Sequence, residues 1–407
     1  MTTREGIPSI LIPYPQTVPF EGGLAFFVDR LIRHCRQRGL QIERLIIPFW
    51  FEYGIVWLGL KAGQLMSRGL GTTWAFLCRG IYTTIVLWMR WLLKGERAIC
   101  FATEPPFIAF VGWSKSLCML GVYGEGPLSK EEAVRLGVWQ ESKRQRLGIQ
   151  LFMKVEMFSC QRAARIVADS PAGWQKMVSI LGLPKEKGEV IWQAIDSDQE
   201  PANESDRISL REQLGWPKET IIAIFTGTLY RLKGVDVLFE AMRQQPDDEL
   251  RLVVLGTGVL ESALRDACQS DPALGRRIHM GGFQRNVFDF LRGADMFVLP
   301  SRQEGTSTSL LEALSIGLCA VGSNVGGIHD VVSAANCGVL VPPENPRALA
   351  RAMRHLMENP EKRAVMGRRG REFVMQNCRA EDMANRYIKV FQEMASADAK
   401  KRNGKLI

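Results

Sequence analysis

The sequence predicts an α/β protein of two doubly wound parallel-sheet domains, one in each half of the chain. Its 407 residues exceed what one hydrophobic core ordinarily supports, so two domains are the expectation. Short β-branched or apolar runs alternate with helical stretches throughout, and such alternation builds parallel strands joined by helical crossovers. Residues 196–205, DSDQEPANES, carry no periodicity and divide the pattern into two rounds, which makes them the expected linker.

In the first round the strand-like runs are residues 10–13, 44–48, 98–102, 117–123, 165–169 and 189–192. The second repeats them at 220–226, 251–255, 277–280, 296–300, 318–322 and 338–341. Residues 379–394 return to a helical pattern, and the basic tail KKRNGK is expected to fray.

Composition narrows the class. With 46% apolar and 23% charged residues and no low-complexity run, the chain belongs with folded rather than disordered proteins. Charge is lopsided: residues 1–196 hold 24 Lys and Arg against 16 Asp and Glu, whereas the remainder is nearly balanced. So basic a first domain suits an anionic partner such as lipid headgroups, nucleic acid or a phosphorylated acceptor, with a solvated surface as the bland alternative.

Nine scattered cysteines form no CxxC pair and read as buried thiols of a reducing compartment, without disulfides or a zinc site. The opening MTTREGIPSI lacks the long apolar core of a secretion signal, so the expected location is cytoplasmic. No run reaches the roughly 18 uncharged apolar residues that cross a bilayer. The nearest, residues 74–93, is interrupted by Arg79 and Arg90; it reads either as a core helix or, through Tyr82, Trp88 and Trp91, as a helix lying in a membrane interface.

The most informative segment is PSRQEGTSTSLLEALSIG, residues 300–317, which follows an apolar strand and turns helical near Ser307. A strand that passes through glycine and hydroxyl residues into a helix aims free amides and the positive end of the helix dipole at the loop, and this favours phosphate. Thr308 and Ser309 share a helix face with Glu312, one turn deeper. Glu304 precedes the helix, and a carboxylate accepts two hydrogen bonds from vicinal hydroxyls, so Glu304 and Glu312 suit a sugar on each side of a diphosphate. The plain alternative makes Thr306 or Ser307 an N-cap and Glu312 a surface residue.

A second element is FTGTLYRLKG, residues 225–234, where a strand breaks at Gly227 and Arg231 and Lys233 follow. Cations beyond a strand's carboxyl end sit at the mouth of a parallel sheet, where they can neutralise a leaving diphosphate. Gly22 and Gly23 mark the first strand–helix junction and let backbone amides approach a phosphate or sugar.

These residues, with GTG at 256–258, GGI at 326–328, GVLVPPENPRALA at 338–350, Ser170 and WQAID ending at Asp196, resemble a known family. It is that of the group 1, or family 4, retaining GT-B glycosyltransferases, which includes the phosphatidylinositol mannosyltransferases and lipopolysaccharide core glucosyltransferases. The resemblance implies two Rossmann-like domains: residues 1–196 for the acceptor, 197–380 for the donor, and a helix at 381–407 returning to the first domain. It implies a nucleotide-diphosphate sugar as co-substrate, a UDP-sugar foremost, with no metal and no other cofactor. Glu304, Lys233 and Arg231 would be catalytic, Glu304 holding the transferred sugar's hydroxyls. Glu312 would bind the ribose. Gly305, Thr306, Ser307, Thr308, Ser309 and Leu310 would hold the diphosphate, and Gly22, Gly23, Gly227, Gly256 and Phe283 complete the donor site.

Several positions depart from the family's pattern. Its arginine after the glycine of the KG segment is here Thr228, with Arg231 as substitute, and its cleft histidine is here Tyr123, leaving Tyr123 or Glu125 on the acceptor side. His329 and Asp330 replace Pro and Glu, and His329 is either a donor contact or an idle loop residue. The acidic run 247–249 is expected to be a solvated loop. The implied function is sugar transfer to a glycan or lipid-linked acceptor in cell-surface polysaccharide or lipopolysaccharide synthesis; the basic first domain with its aromatic stretches adds an anionic membrane surface as a candidate partner, and nucleic acid is not expected. The alternatives are a non-catalytic nucleotide-sugar-binding scaffold and an epimerase of the same fold. A nicotinamide oxidoreductase is disfavoured, because Gly256 and Gly258 lack the third glycine of its fingerprint.

Overall fold

A computed structural model of the chain describes residues 7–15, 23–47, 81–89, 92–93, 98–103, 117–122, 143–196, 199–245 and 249–403. They divide into two compact units. One takes the described residues up to Trp192 and again from Ala380, the other Gln193–Arg379. Twelve parallel strands are present where the alternation placed them, each within two residues of its expected bounds.

The first unit holds β1 (Ser9–Pro15), β2 (Ile42–Ile47), β3 (Ala98–Ala102), β4 (Leu117–Val122), β5 (Arg165–Ala168) and β6 (Gly188–Val190), in the order β2-β1-β3-β4-β5-β6. Every residue of β3 is buried, as a strand covered on both faces requires. Ala98, Cys100 and Ala102 face a cluster with Leu87, Cys160 and Met177. Phe101, with the alternate parity, meets Phe27, Tyr387 and Phe391 at centroid distances of 6.4, 5.4 and 6.2 Å. Tyr387 and Phe391 belong to the closing helix Ala380–Asn403, so burial of these rings, roughly 2–3 kcal/mol each, fastens that helix to the first unit. An Arg38–Glu381 ion pair of 2.8 Å adds to it. The helix runs on to Asn403, past the point where the sequence pattern ended, so its lysines at 400 and 401 are helical rather than frayed.

The second unit holds β7 (Ile221–Thr226), β8 (Leu250–Leu255), β9 (Ile278–Gly282), β10 (Met296–Leu299), β11 (Cys319–Ser323) and β12 (Gly338–Val341), ordered β12-β11-β10-β7-β8-β9. Part of the expected linker belongs to this unit. Ala202 N donates to Ile316 O at 3.0 Å, and Asn203 with Asp206 forms a capping box that opens the helix Glu204–Leu214. The polar string NESD is thus a helix start, whose local hydrogen bonds outweigh its loop-like composition.

Of the eight described cysteines, seven are buried and Cys268 is half-buried; all are free thiols. Burial pushes Cys35, Cys118, Cys319 and Cys337 up to about 12, far from the reactive thiolate. Among the described residues no helix is long and apolar enough to cross a membrane.

Candidate active site

In the second sheet β7 continues to β8 on one side while β10 continues to β11 on the other, so the order reverses between β7 and β10. Right-handed crossovers then send the helix after β7 and the helix after β10 to opposite faces, and a crevice opens beyond the carboxyl ends of these two strands. Both segments singled out in the sequence end there. Residues 227–234 leave β7, and residues 300–307 leave β10.

Their side chains meet. Lys233, in the 3-10 turn Arg231–Lys233, donates from Nζ to both oxygens of Glu304, at 2.8 and 2.6 Å. Ser301 Oγ donates to Glu304 Oε2 at 3.0 Å. Burial works against the Lys233 ammonium, but the charges of Glu304 and Tyr230 and the hydrogen bond to Glu304 outweigh it and hold its pKa above the ordinary lysine value. Lys233 is therefore a fixed cation at the mouth of the sheet, and Glu304 is an anchored carboxylate with defined orientation.

Around them the backbone supplies donors. Ser307 caps the helix Thr308–Ser315, its hydroxyl accepting from Leu310 N at 3.4 Å, and Ser309 Oγ lies 3.0 Å from Ser307 Oγ. The plain N-cap reading of Ser307 is thus correct, and it coexists with a helix terminus aimed at the crevice. A second helix, Gly326–Ala335, starts beside the same loop: Gly327 N donates to Glu304 O at 3.2 Å, and a Cβ on Gly327 would lie 2.5 Å from Gly305 O. Glycine is required there by close approach. Gly234 has the same role across the crevice, since a Cβ on it would overlap the Pro300 carbonyl.

Gly227 N donates to Leu255 O and Gly256 N to Gly282 O, at 3.0 and 2.7 Å, so the loops after β7, β8 and β9 stack side by side. The exposed Phe283 follows Gly282 on that edge. Glu312 lies half-buried inside the helix Thr308–Ser315, and Arg231 is exposed at the start of its turn. Thr306 is buried.

The remaining expectations fall elsewhere. Gly22, Tyr123, Glu125, Asp247 and Asp248 lie outside the described residues, and Gly23 opens the helix Gly23–Gln37 of the first unit. His329 is not in a loop; it is in the first turn of the helix Gly326–Ala335, exposed, with Nδ1 2.6 Å from Asn324 Oδ1. That turn is helical because the GGI glycines begin the helix rather than a bend.

Sequence reasoning passed over Arg302. Its guanidinium is bidentate to Asp236 at 2.8 and 2.9 Å, bonds Glu344 at 2.8 Å and donates to Arg231 O. It thereby ties the loop carrying Glu304 to the turn carrying Lys233. Only "an arginine two residues before the glutamate" was visible in the chain itself. The buried Thr226 Oγ1, at the end of β7, has no hydrogen-bond partner among the described residues and is a further candidate ligand contact.

Residues 206–373 match the family model of the glycosyl transferases group 1. The D-inositol 3-phosphate glycosyltransferase of Xylanimonas cellulosilytica is 32% identical over 211 residues, 49% of this chain and 50% of that protein. The chain spans about half the length of the curated relatives it matches. Among solved structures, Anabaena HepE in complex with UDP superposes with a TM-score of 0.70 at 17% identity, over 95% of this chain and 100% of that one. WaaG, a glycosyltransferase involved in lipopolysaccharide biosynthesis, gives 0.67 at 16% identity, over 94% and 99%. By its sequence the second unit is a group 1 glycosyl transferase domain, and by its two sheets the chain has the GT-B fold.

Proposed function

We propose that this chain is a retaining, metal-independent hexosyltransferase working at the cytoplasmic side, moving a sugar from a UDP-sugar to a glycan or lipid-linked acceptor of cell-surface polysaccharide or lipopolysaccharide synthesis. The observation that carries this reading is the Lys233–Glu304 pair at the switch point, set between two helix starts in a group 1 domain. HepE's bound UDP favours uridine, and WaaG's pathway favours a surface glycan.

In this reading Glu304 accepts hydrogen bonds from the transferred sugar, and Glu312 from the ribose. Lys233, Arg231 and the amides and hydroxyls of residues 305–310 meet the diphosphate. The acceptor hydroxyl attacks the anomeric carbon on the face the diphosphate leaves. The carbon–oxygen bond to phosphate breaks as the new glycosidic bond forms, and the departing phosphate oxygen takes the acceptor's proton. Charge accumulates on the diphosphate in the transition state, so the cations and amides that neutralise it govern the rate.

The test is thermal unfolding of the full chain with UDP, GDP and ADP, each with and without its sugar. A ligand at a hundredfold its Kd stabilises the native state by about 2.7 kcal/mol, a readable shift in Tm. The expected result is a shift with UDP that Glu312→Ala abolishes. Turnover of the responding donor should fall by roughly 10²–10³-fold in Lys233→Ala and Glu304→Ala with the fold intact. If no nucleotide shifts Tm, the transferase reading fails.

A further inference from the structure

We propose that a second cavity of the donor unit binds a small phosphorylated sugar or polyol and acts from there on the Glu304 loop. The cavity holds about 350 Å³ and is lined by Arg347, Arg351, Arg354, His355 and Glu358, with Gln244 opposite them. A volume at the lower end of the range for small-molecule sites suits one sugar with one phosphate. Gln244 closes the helix Val235–Arg243, so it stands at the far end of that helix from the Lys233 turn, about 13 Å along its axis.

The lining comes from one helix face. Leu349, Ala352, Met353 and Leu356 bury one side of the helix Pro346–Met357, and the basic residues recur at helical spacing on the other. Behind them stands a buried support. Gln245 donates from Nε2 to Ala350 O at 2.5 Å, its backbone oxygen accepts from Arg277 at 2.8 Å, and its Oε1 accepts from Arg354 Nε and Nη2 at 3.2 and 2.8 Å. Arg354 is therefore held in place before any ligand arrives. Arg347 and Arg351 are exposed and make no hydrogen bond or ion pair among the described residues. Lys362 Nζ lies 3.2 Å from His355 Nε2 and adds a further cation.

Charge selects the ligand. Three guanidiniums stand against one carboxylate, and their planar forks match phosphate oxygens. Glu358 repels a bare phosphate but accepts hydrogen bonds from hydroxyls, which favours a phosphorylated sugar or polyol over inorganic phosphate.

The two helices that frame this cavity also carry the partners of Arg302. Asp236 lies in the first turn of Val235–Arg243, and Glu344 stands two positions before Pro346–Met357. Arg302 bonds both and belongs to the Glu304 loop. A ligand that draws the end of one helix against the other therefore bears on the spacing of Asp236 and Glu344, and Arg302 passes the change to Glu304. Binding in the cavity stands apart from the function proposed above; its effect on the crevice rests on that reading.

Calorimetric titration of the full chain with glucose 6-phosphate, inorganic phosphate and glucose tests the site. The expected result is that glucose 6-phosphate binds several-fold more tightly than inorganic phosphate, and that glucose does not bind. Arg347→Gln with Arg351→Gln removes two exposed, unpaired cations, so it should keep the wild-type Tm and the UDP-induced shift while weakening glucose 6-phosphate about tenfold or more. Glu358→Ala should bring the affinities for glucose 6-phosphate and inorganic phosphate together. In the wild type, saturating glucose 6-phosphate should change the affinity for UDP about fivefold or more, and in Arg302→Gln it should not. The site is refuted if glucose 6-phosphate does not bind, or binds the double arginine variant as it binds the wild type. The coupling is refuted if glucose 6-phosphate binds and leaves the affinity for UDP unchanged. Failure of UDP to bind overturns the donor assignment and the coupling together, while the glucose 6-phosphate titration still decides the cavity.

Discussion

Replacing Arg302 with Gln should loosen the strut that joins the Glu304 loop to the Lys233 turn. Arg302 is 16% exposed and makes two hydrogen bonds to Asp236 and one to Glu344. Shielded charge-assisted bonds contribute about 1.5–3 kcal/mol each. Asp236 and Glu344 are 41% and 62% exposed, however, so water screens both. Exposed ion pairs reach only about 0.2–1 kcal/mol. Between these limits Arg302→Gln should cost about 2 kcal/mol, mostly through the bidentate Asp236 pair. Glu344 sharpens the test, because its φ of +56° lies in the left-handed region, where a side chain costs about 1 kcal/mol relative to glycine. Glu344→Gly should be nearly neutral in the wild type, since relieved strain offsets the lost bond to Arg302. In the Arg302→Gln background that bond is already gone, and the same change should stabilise by about 1 kcal/mol. Urea unfolding of the four proteins gives the cycle. If Arg302→Gln lies within about 0.5 kcal/mol of wild type, or Glu344→Gly acts equally in both backgrounds, the strut is not energetically real.

Three further outcomes follow from the same unit. Arg211→Met should destabilise by about 3 kcal/mol, because Arg211 and Asp295 are both buried 2.6 Å apart and the change leaves the buried carboxylate with only the more exposed Arg207, 4.0 Å away, as its cation; a urea midpoint near wild type would contradict this. Gly327→Ala should push Gly305 and Thr306 out of place and weaken nucleotide binding by calorimetry about tenfold or more, with little loss elsewhere in the helix; unchanged affinity would mean the loop does not hold the ligand. At Asp236 burial raises the pKa, but the hydrogen bonds and charge of Arg302 outweigh it and hold the carboxyl below its ordinary value of 3.8. Its contribution is therefore complete above that value and is lost as pH falls through the lower folded one. The stability gap between wild type and Asp236→Asn should stay constant from about pH 7 to 5 and begin to shrink only as pH falls below about 4, and a gap that already closes between about pH 6 and 5 would refute the pairing.

Local physics made much of this legible in the chain. Strands such as Met296–Leu299 and Ala98–Ala102 are covered on both faces, so they had to be short apolar runs, and periodicity found them. A glycine-and-hydroxyl loop entering a helix offers free amides to an anion, and this local feature singles out residues 304–310 as a candidate site in the sequence, beside the basic turn at 227–233. Asn203 was misjudged although its cap was written in the sequence, because four polar residues look alike in a loop and in a capping box.

What only the tertiary structure decided is which distant residues meet. The order β12-β11-β10-β7-β8-β9 places the ends of β7 and β10 together, and no local preference encodes that order. Lys233 therefore reaches Glu304 across 71 positions, and Arg302 reaches Asp236 across 66 and Glu344 across 42. Gly327 is indispensable only because Gly305 lies against it. Residue type and spacing set what each group can do; the packing of crossovers on a twisted sheet sets which groups do it together, since hydrogen bonds and ion pairs act over a few ångströms of space irrespective of separation along the chain.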